Sequence, residues 1–373
     1  MGKNLVATST VRPMPAVPSY DSHGLVNLVS ELEMRLTGSS LSPTLEASLA
    51  AAIPQADTYV IVLFDGLGIA QLAHPAASGL AGSNQGVLHA PFPTTTSVSL
   101  ATLATGLAPS QHGVIAHLSW MEDLEKVVNT LKWVDLSGEF VPYDHATVLP
   151  RPNLWERLRT AGVDPITVQP GAFEGSPLSR VLYRGARFEG TFDTDDLIAA
   201  TVQLAGTPKR FIFTYVWQVD FAGHVFGLES EEFFEAVALA NEVWEGLASR
   251  LPPEVALIGT ADHGLVEYSD SEKIISREER FRPLRYAGDS RGVQLWGDGD
   301  LIEEFAAAMG GELVEPADLV GPELSETARS RLGDRLLLAP EGKVILPPGF
   351  DKRLRCYHGG LAPAEVEIPL LVG

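Results

Sequence analysis

Residues 58–68 read TYVIVLFDGLG, an apolar and β-branched run, Thr58–Phe64, that ends abruptly on Asp65, Gly66 and Gly68. A short continuous run bounded by turn formers predicts a strand buried on both faces, as in a parallel sheet covered by helices. Similar runs recur at Val163–Val168, Phe211–Val216, Val255–Gly259 and Glu367–Val372. Helical patterns lie between them. In Ser230–Leu251, Phe233, Phe234, Val237, Trp244 and Leu247 fall on one face, and Glu231, Glu232 and Glu235 near its start suit the helix dipole. An earlier helix is predicted over Leu25–Leu36, within an N-terminal region, residues 1–56, that begins as an arm. Strands alternating with helices imply an α/β fold with a mostly parallel central sheet and helices on both faces. Residues 265–350 are richer in charge, Gly and Pro, and alternate around Gly292–Trp296 and Lys343–Leu346 like short antiparallel strands. The expectation is one domain over 1–373, with 265–350 inserted as a small cap over one end of the sheet.

Composition narrows the function. With 373 residues, 45% hydrophobic and 20% charged, the chain is long enough for a large core and is ordinary in content. It has no apolar run of about 18 residues, so no transmembrane helix is expected. The start, MGKNLVATSTVRPMPAVPSY, lacks the continuous apolar stretch of a secretory signal, and the single Cys356 permits no internal disulfide. Both suit the cytoplasm. A net charge of −21 argues against a nucleic-acid polymer or an anionic membrane as partner. A small phosphate ester remains compatible, because bound divalent cations reverse the sign locally. Nothing in the sequence sets an oligomeric state.

Four segments place acids, imidazoles or hydroxyls where a strand ends or a helix begins, the edge at which open α/β sheets bind ligands. Asp65 directly follows the first strand; it is either a turn residue or a ligand. Its Gly66-Leu-Gly68 lacks the third glycine of a dinucleotide fingerprint. In APFPTTTSVSLATLATGLAPSQHG, residues 90–113, the threonines precede a helical pattern that stops at Gly106. Thr95 or Thr96 thus stands at a helix N-terminus, either as a cap or facing an anion. As a nucleophile it would need an activating base or metal. In DFAGH, Asp220 and His224 are four apart, one turn, and their O and N atoms suit zinc and similar cations. In ADHG, Asp262 and His263 are adjacent at a strand end. His358 precedes two glycines just ahead of the last strand.

Taken in order, Asp65, PTTTS, TGLAPSQHG, DFAGH, ADHG and YHGG resemble the alkaline phosphatase superfamily, in its nucleotide pyrophosphatase/phosphodiesterase branch. The similarity runs from about residue 58 to 372 and is weaker before 55 and within 265–350. The resemblance implies a metal-dependent hydrolase of phosphodiester or nucleotide pyrophosphate bonds, acting through a phospho-threonine intermediate on Thr96. It further implies one divalent cation on Asp65, Asp262, His263 and the Thr96 oxygen, and a second on Asp220, His224 and His358. Zinc is the expected metal and manganese the alternative, since manganese-dependent mutases share the fold. Two departures stand out. Where the eukaryotic-type pattern has Lys before the threonine and Phe-Pro-Asn after it, this chain has Thr95 and Ser97-Val98-Ser99. His117 occupies the place of an Asn that donates to a phosphoryl oxygen, a role its ring N–H could fill. The alternatives on the same fold are a phosphomonoesterase, a phosphomutase, a phosphonate hydrolase or a sulfatase. Mutases carry a larger insertion than 120–160 allows, and Cys356 is misplaced for a sulfatase. Gly288-Asp-Ser290-Arg-Gly292 matches the serine-hydrolase elbow only in letters, because a strand-like VQLW follows it where a helix is required.

Overall fold

The computed structural model describes residues 16–276 and 278–373. The first part of the N-terminal arm, residues 1–15, lies outside the described residues, as does the start of the stretch examined for a secretory signal. Seven strands form the central sheet: β1 Thr58–Phe64, β2 Asn84–His89, β3 Asp164–Pro170, β4 Arg187–Thr191, β5 Arg210–Val216, β6 Val255–Thr260 and β7 Glu367–Val372. Their order across the sheet is β2-β7-β6-β1-β5-β3-β4. From β6 to β4 every pairing is parallel, whereas β7 runs antiparallel to both β6 and β2. Every residue of β1 is buried, because the strand is central and helices flank the sheet. The helix Leu25–Thr37 covers the segment expected to be helical.

The helix Glu231–Arg250 is capped by the Ser230 hydroxyl and buries Phe233, Val237, Trp244 and Leu247. Phe234 corrects the expected apolar face: it is 49% exposed, since the next residue along a helix points about 100° away. β2 and β4 have no counterpart in the expected runs. Both are edge strands of mixed polarity (NQGVLH and RFEGT), so neither needs a continuous apolar run.

A second seven-stranded sheet is antiparallel and draws on two parts of the chain. Glu312–Val314, Arg335–Leu338, Gly292–Trp296 and Arg285–Asp289 come from the expected insertion, and Leu118–Met121, Lys126–Asn129 and Val134–Asp135 directly follow the threonine segment. Lys343–Leu346 departs from expectation: Val344–Leu346 pairs in parallel with Lys273–Ile275, because the long 276–343 excursion separates the two. Ser290 lies in the tight turn of a hairpin between Arg285–Asp289 and Gly292–Trp296, so strand–turn–strand geometry removes the serine-elbow reading.

The parallel strands deliver their following loops to one edge. β7 reverses direction, so the loop before it, which carries His358, arrives at that same edge. The amide of Gly264 donates to Glu365 O at 3.0 Å, joining the loop after β6 to the approach to β7. Gly66 fixes the turn after β1. Its φ is +75°, and a Cβ there would lie 2.9 Å from Asp220 Cα. We expect Gly66→Ala to cost at least about 1–2 kcal/mol from the left-handed backbone alone, read as a lower midpoint in denaturant unfolding. An unchanged midpoint would show that the turn tolerates a side chain.

Candidate active site

The helix after β2 spans Thr96–Thr105 and ends on Gly106 in the left-handed conformation. Thr95 is its N-cap residue, yet the Thr95 side chain makes no capping bond. Thr96 is therefore the first helical residue, nearly buried, and its Oγ1 lies 3.2 Å from His263 Nε2. The Ser99 hydroxyl donates to the Asp262 carbonyl at 2.7 Å and locks this helix to the end of β6.

Around that hydroxyl each acid leaves an oxygen open, and Asp262 and Asp65 have their other oxygen held. Asp262 Oδ1 accepts the amides of Gly66 and His263, each at 3.0 Å, while Oδ2 has no hydrogen-bond partner. Asp65 Oδ2 accepts the Tyr215 hydroxyl, while Oδ1 has none. Asp220 Oδ1 is also without a hydrogen-bond partner, with His224 Nε2 at 3.3 Å. His263 Nε2 is 3.6 Å from Asp65 Oδ1 and 3.3 Å from Asp262 Oδ2.

The histidines follow a complementary pattern. Nδ1 of His224 is 2.7 Å from Cys356 O, Nδ1 of His358 is 2.8 Å from Thr94 O, and Nδ1 of His263 is 3.2 Å from Gly264 O. Each carbonyl takes the Nδ1 proton and leaves Nε2 as the electron-pair donor, the arrangement of a metal-ligating imidazole. Nε2 of His224 and His358 are 3.2 Å apart, and Asp220 Oδ1 is 3.9 Å from His358 Nε2. Ligand atoms of Asp65, Asp262 and His263 lie within 4.8 Å of one another, and so do those of Asp220, His263 and His358. The structure therefore gathers all seven residues expected as ligands into one cluster.

Electrostatics show what the cluster lacks. Burial, then the charges of Asp262 and Asp220, push the Asp65 carboxyl well above its ordinary range. Asp220 is raised by burial despite the offsetting His224. Burial and the neighbouring His263 and His224 hold His358 well below the usual imidazole value. Three acids with open oxygens and three imidazoles with open nitrogens fit divalent cations, whose charge would bring the raised acids down and keep the imidazole neutral.

His117 stands beside the cluster. Its backbone amide donates to Asp289 Oδ2 at 3.2 Å, and its Nε2 is 3.1 Å from Asn129 Nδ2. Burial, then the charges of His224 and Lys132, lower it to about 4. His112 of TGLAPSQHG is structural: Nδ1 accepts the Val114 amide at 3.1 Å and Nε2 meets Thr102 Oγ1 at 3.1 Å. Arg184 pairs with Glu156, Arg187 with Glu189 and Asp164, and Arg180 is exposed. Sequence reasoning missed Tyr215, which reads only as a strand residue, Asn129, which lies in a segment without a motif, and Asp289, which falls inside the serine-elbow match and was not weighed for itself.

With this geometry established, likeness to solved structures is informative. The chain superposes on murine ectonucleotide pyrophosphatase / phosphodiesterase 5 with a TM-score of 0.64 at 19% identity, covering 84% of this chain and 87% of that one. An inactive threonine-to-alanine variant of the same murine protein, in complex with AMP, matches with a TM-score of 0.64 at 18% identity, over 85% of this chain and 87% of that one. Phosphonoacetate hydrolase from Sinorhizobium meliloti 1021, in complex with phosphonoacetate, gives 0.61 at 17% identity over 86% and 91%. A comparison with curated protein sequences gives no match. The fold is thus that of the alkaline phosphatase superfamily. More particularly, the chain belongs to the type I phosphodiesterase / nucleotide pyrophosphatase family, whose pattern it matches over residues 59–303. That family hydrolyses phosphoesters with the help of metal ions. Among the described residues no helix is long and apolar enough to cross a membrane.

The raised Asp65 sets a pH test. An acid whose folded pKa exceeds its ordinary 3.8 holds its proton longer when folded, so its ionisation costs stability as pH rises above about 4. In metal-free protein, Asp65→Asn should gain stability relative to wild type as pH rises from 4 upward. Saturating zinc should reverse that order, measured by thermal unfolding. The same ranking with and without zinc would show that Asp65 does not face a cation.

Proposed function

We propose that this chain hydrolyses phosphodiester or nucleotide pyrophosphate bonds in small molecules by two successive displacements, with Thr96 as nucleophile. One observation carries the reading: Thr96 Oγ1, at a helix start, lies 3.2 Å from His263 Nε2 among buried carboxylate oxygens that have no other partner. Asp65, Asp262, His263 and Thr96 would hold one divalent cation, and Asp220, His224 and His358 the other. Bound there, two such ions, zinc foremost and manganese next, would supply Lewis-acid charge neutralisation and lower the pKa of the neighbouring hydroxyl.

The protein's own share is position. The helix Thr96–Thr105 aims its first amides at an incoming anion and presents the Thr96 oxygen to phosphorus. A bond forms from Thr96 Oγ1 to phosphorus as the bond to the leaving oxygen breaks; the threonine proton passes to solvent and the leaving oxygen takes one up from it. Water then attacks phosphorus from the vacated side and gives a proton to solvent, and the Thr96 oxygen leaves and is reprotonated. His117 donates to a non-bridging oxygen in both steps, where each well-placed donor contributes about 10²–10³ in rate. The murine neighbour supports a threonine in this role, since its threonine-to-alanine variant is inactive and was solved with AMP.

We expect Thr96→Ala to lower turnover of bis(4-nitrophenyl) phosphate by about three orders of magnitude or more. Zinc content by plasma mass spectrometry should stay near that of wild type, because six ligands remain. Parallel rates on 4-nitrophenyl phosphate and phosphonoacetate rank the monoesterase and phosphonatase alternatives. Turnover close to wild type in the variant would remove Thr96 as the nucleophile.

A further inference from the structure

His117 directly precedes the strand Leu118–Met121, which lies between Arg285–Asp289 and Lys126–Asn129 in the second sheet. Leu118 pairs with Asn129 on one side and with Gly288 on the other, so the register brings Asn129 and Asp289 to either side of the His117 position. Asn129 Oδ1 accepts two backbone amides, from Leu131 and Lys132, each at 3.0 Å. Those two bonds fix which way the amide group faces: oxygen toward the turn, and the Nδ2 hydrogens toward His117 Nε2 at 3.1 Å. An Nδ2 group only donates, so His117 Nε2 must accept. On the opposite side Asp289, 5% exposed, accepts the His117 amide at 3.2 Å and also bonds the Thr95 side chain. Gly359 packs against it, since a Cβ there would lie 2.5 Å from Asp289 Cβ.

We propose that Asn129 is a positioning residue that fixes His117 as the neutral Nδ1–H tautomer, with Asp289 anchoring the backbone beneath it. The donor this ring offers a phosphoryl oxygen is then Nδ1–H, which has no hydrogen-bond partner among the described residues. Nε2 is committed to Asn129 and cannot serve as a donor. The low pKa of His117 agrees, because a ring kept neutral has one N–H to place, and its placement decides whether it is useful. Asp289 also holds Thr95, so a single buried acid ties the residue before the nucleophile to the residue that would meet the phosphoryl group.

The donor role rests on the function proposed above, but the tautomer does not, and the two are separable. In zinc-loaded protein labelled with ¹⁵N-histidine, long-range ¹H–¹⁵N spectra distinguish a protonated ring nitrogen from a bare one, and His117→Gln identifies the resonance. We expect a bare Nε2 and a protonated Nδ1 in wild type. In Asn129→Asp the acceptor oxygen is kept and the donor is lost, so Nε2 should become protonated, with kcat on bis(4-nitrophenyl) phosphate down about tenfold and KM little changed. Should that variant fail to fold, Asn129→Ala should show both tautomers. A protonated Nε2 in wild type, or a bare Nε2 retained in the variants, overturns the proposal. Full turnover in His117→Ala would instead overturn the donor role while leaving the tautomer assignment intact.

Discussion

The mutual repulsion of Asp65, Asp220 and Asp262 is the constraint on which the rest of this structure depends. Ligand atoms of Asp65, Asp262 and His263 crowd within 4.8 Å of one another. Two like charges at that spacing repel by roughly 3 kcal/mol even at an effective dielectric of 20. Protein groups offset this only partly. Tyr215 holds one oxygen of Asp65, and two backbone amides hold one of Asp262, but the outward oxygens face each other. A fold that keeps such a cluster in its interior calls for positive charge, which cations would supply where side chains do not. The chain's acidity of −21 is consistent with that: the site's attraction for phosphate is local and does not need a basic surface.

Sheet topology makes the crowding unavoidable. Parallel β1, β5 and β6 lie side by side, so the residues that follow them, Asp65, Asp220 and Asp262, are neighbours by register. The reversed β7 adds His358 from the other chain direction, which a purely parallel sheet could not do without another crossover. Rigid strands and a buried helix therefore fix the site, and a shift of one strand by one residue would turn its ligand away.

How much of this was legible in the sequence follows from the range of each signal. The buried parallel strands announce themselves because burial on both faces demands an apolar run, and Asp65 and His263 stand where those runs stop. β2 and β4 were silent because edge strands carry no such demand. The grouping of the seven expected ligands came through resemblance; their spacing along the chain contains nothing that brings residue 65 to residue 358. The strands of 118–135 are short and polar enough to read as loop, so their partnership with 285–338 was hidden, and Asn129 and Asp289 with it. Tyr215 was hidden for the opposite reason, since a tyrosine in an apolar run is fully explained by packing.

That hidden sheet accounts for the two places where the chain leaves the pattern it resembles. Thr95 stands where a lysine is expected and His117 where an asparagine is, and both are bonded to Asp289 of the second sheet. A lysine in place of Thr95 would bring its charge to an acid that burial pushes up to about 7, and the resulting ion pair would consume the cation meant for the substrate. With threonine there, Asp289 is satisfied by neutral donors and spends no positive charge. In the proposed function the anion-facing wall would then be a helix start and an imidazole N–H, donors that hydrogen-bond phosphate without carrying net charge. In that proposed function, binding strength would pass to the cations, and selectivity to the geometry that the second sheet imposes on His117. The two departures are thus one structural change, because a neutral wall beside a buried acid works only if the same sheet that brings the acid also orients the donor.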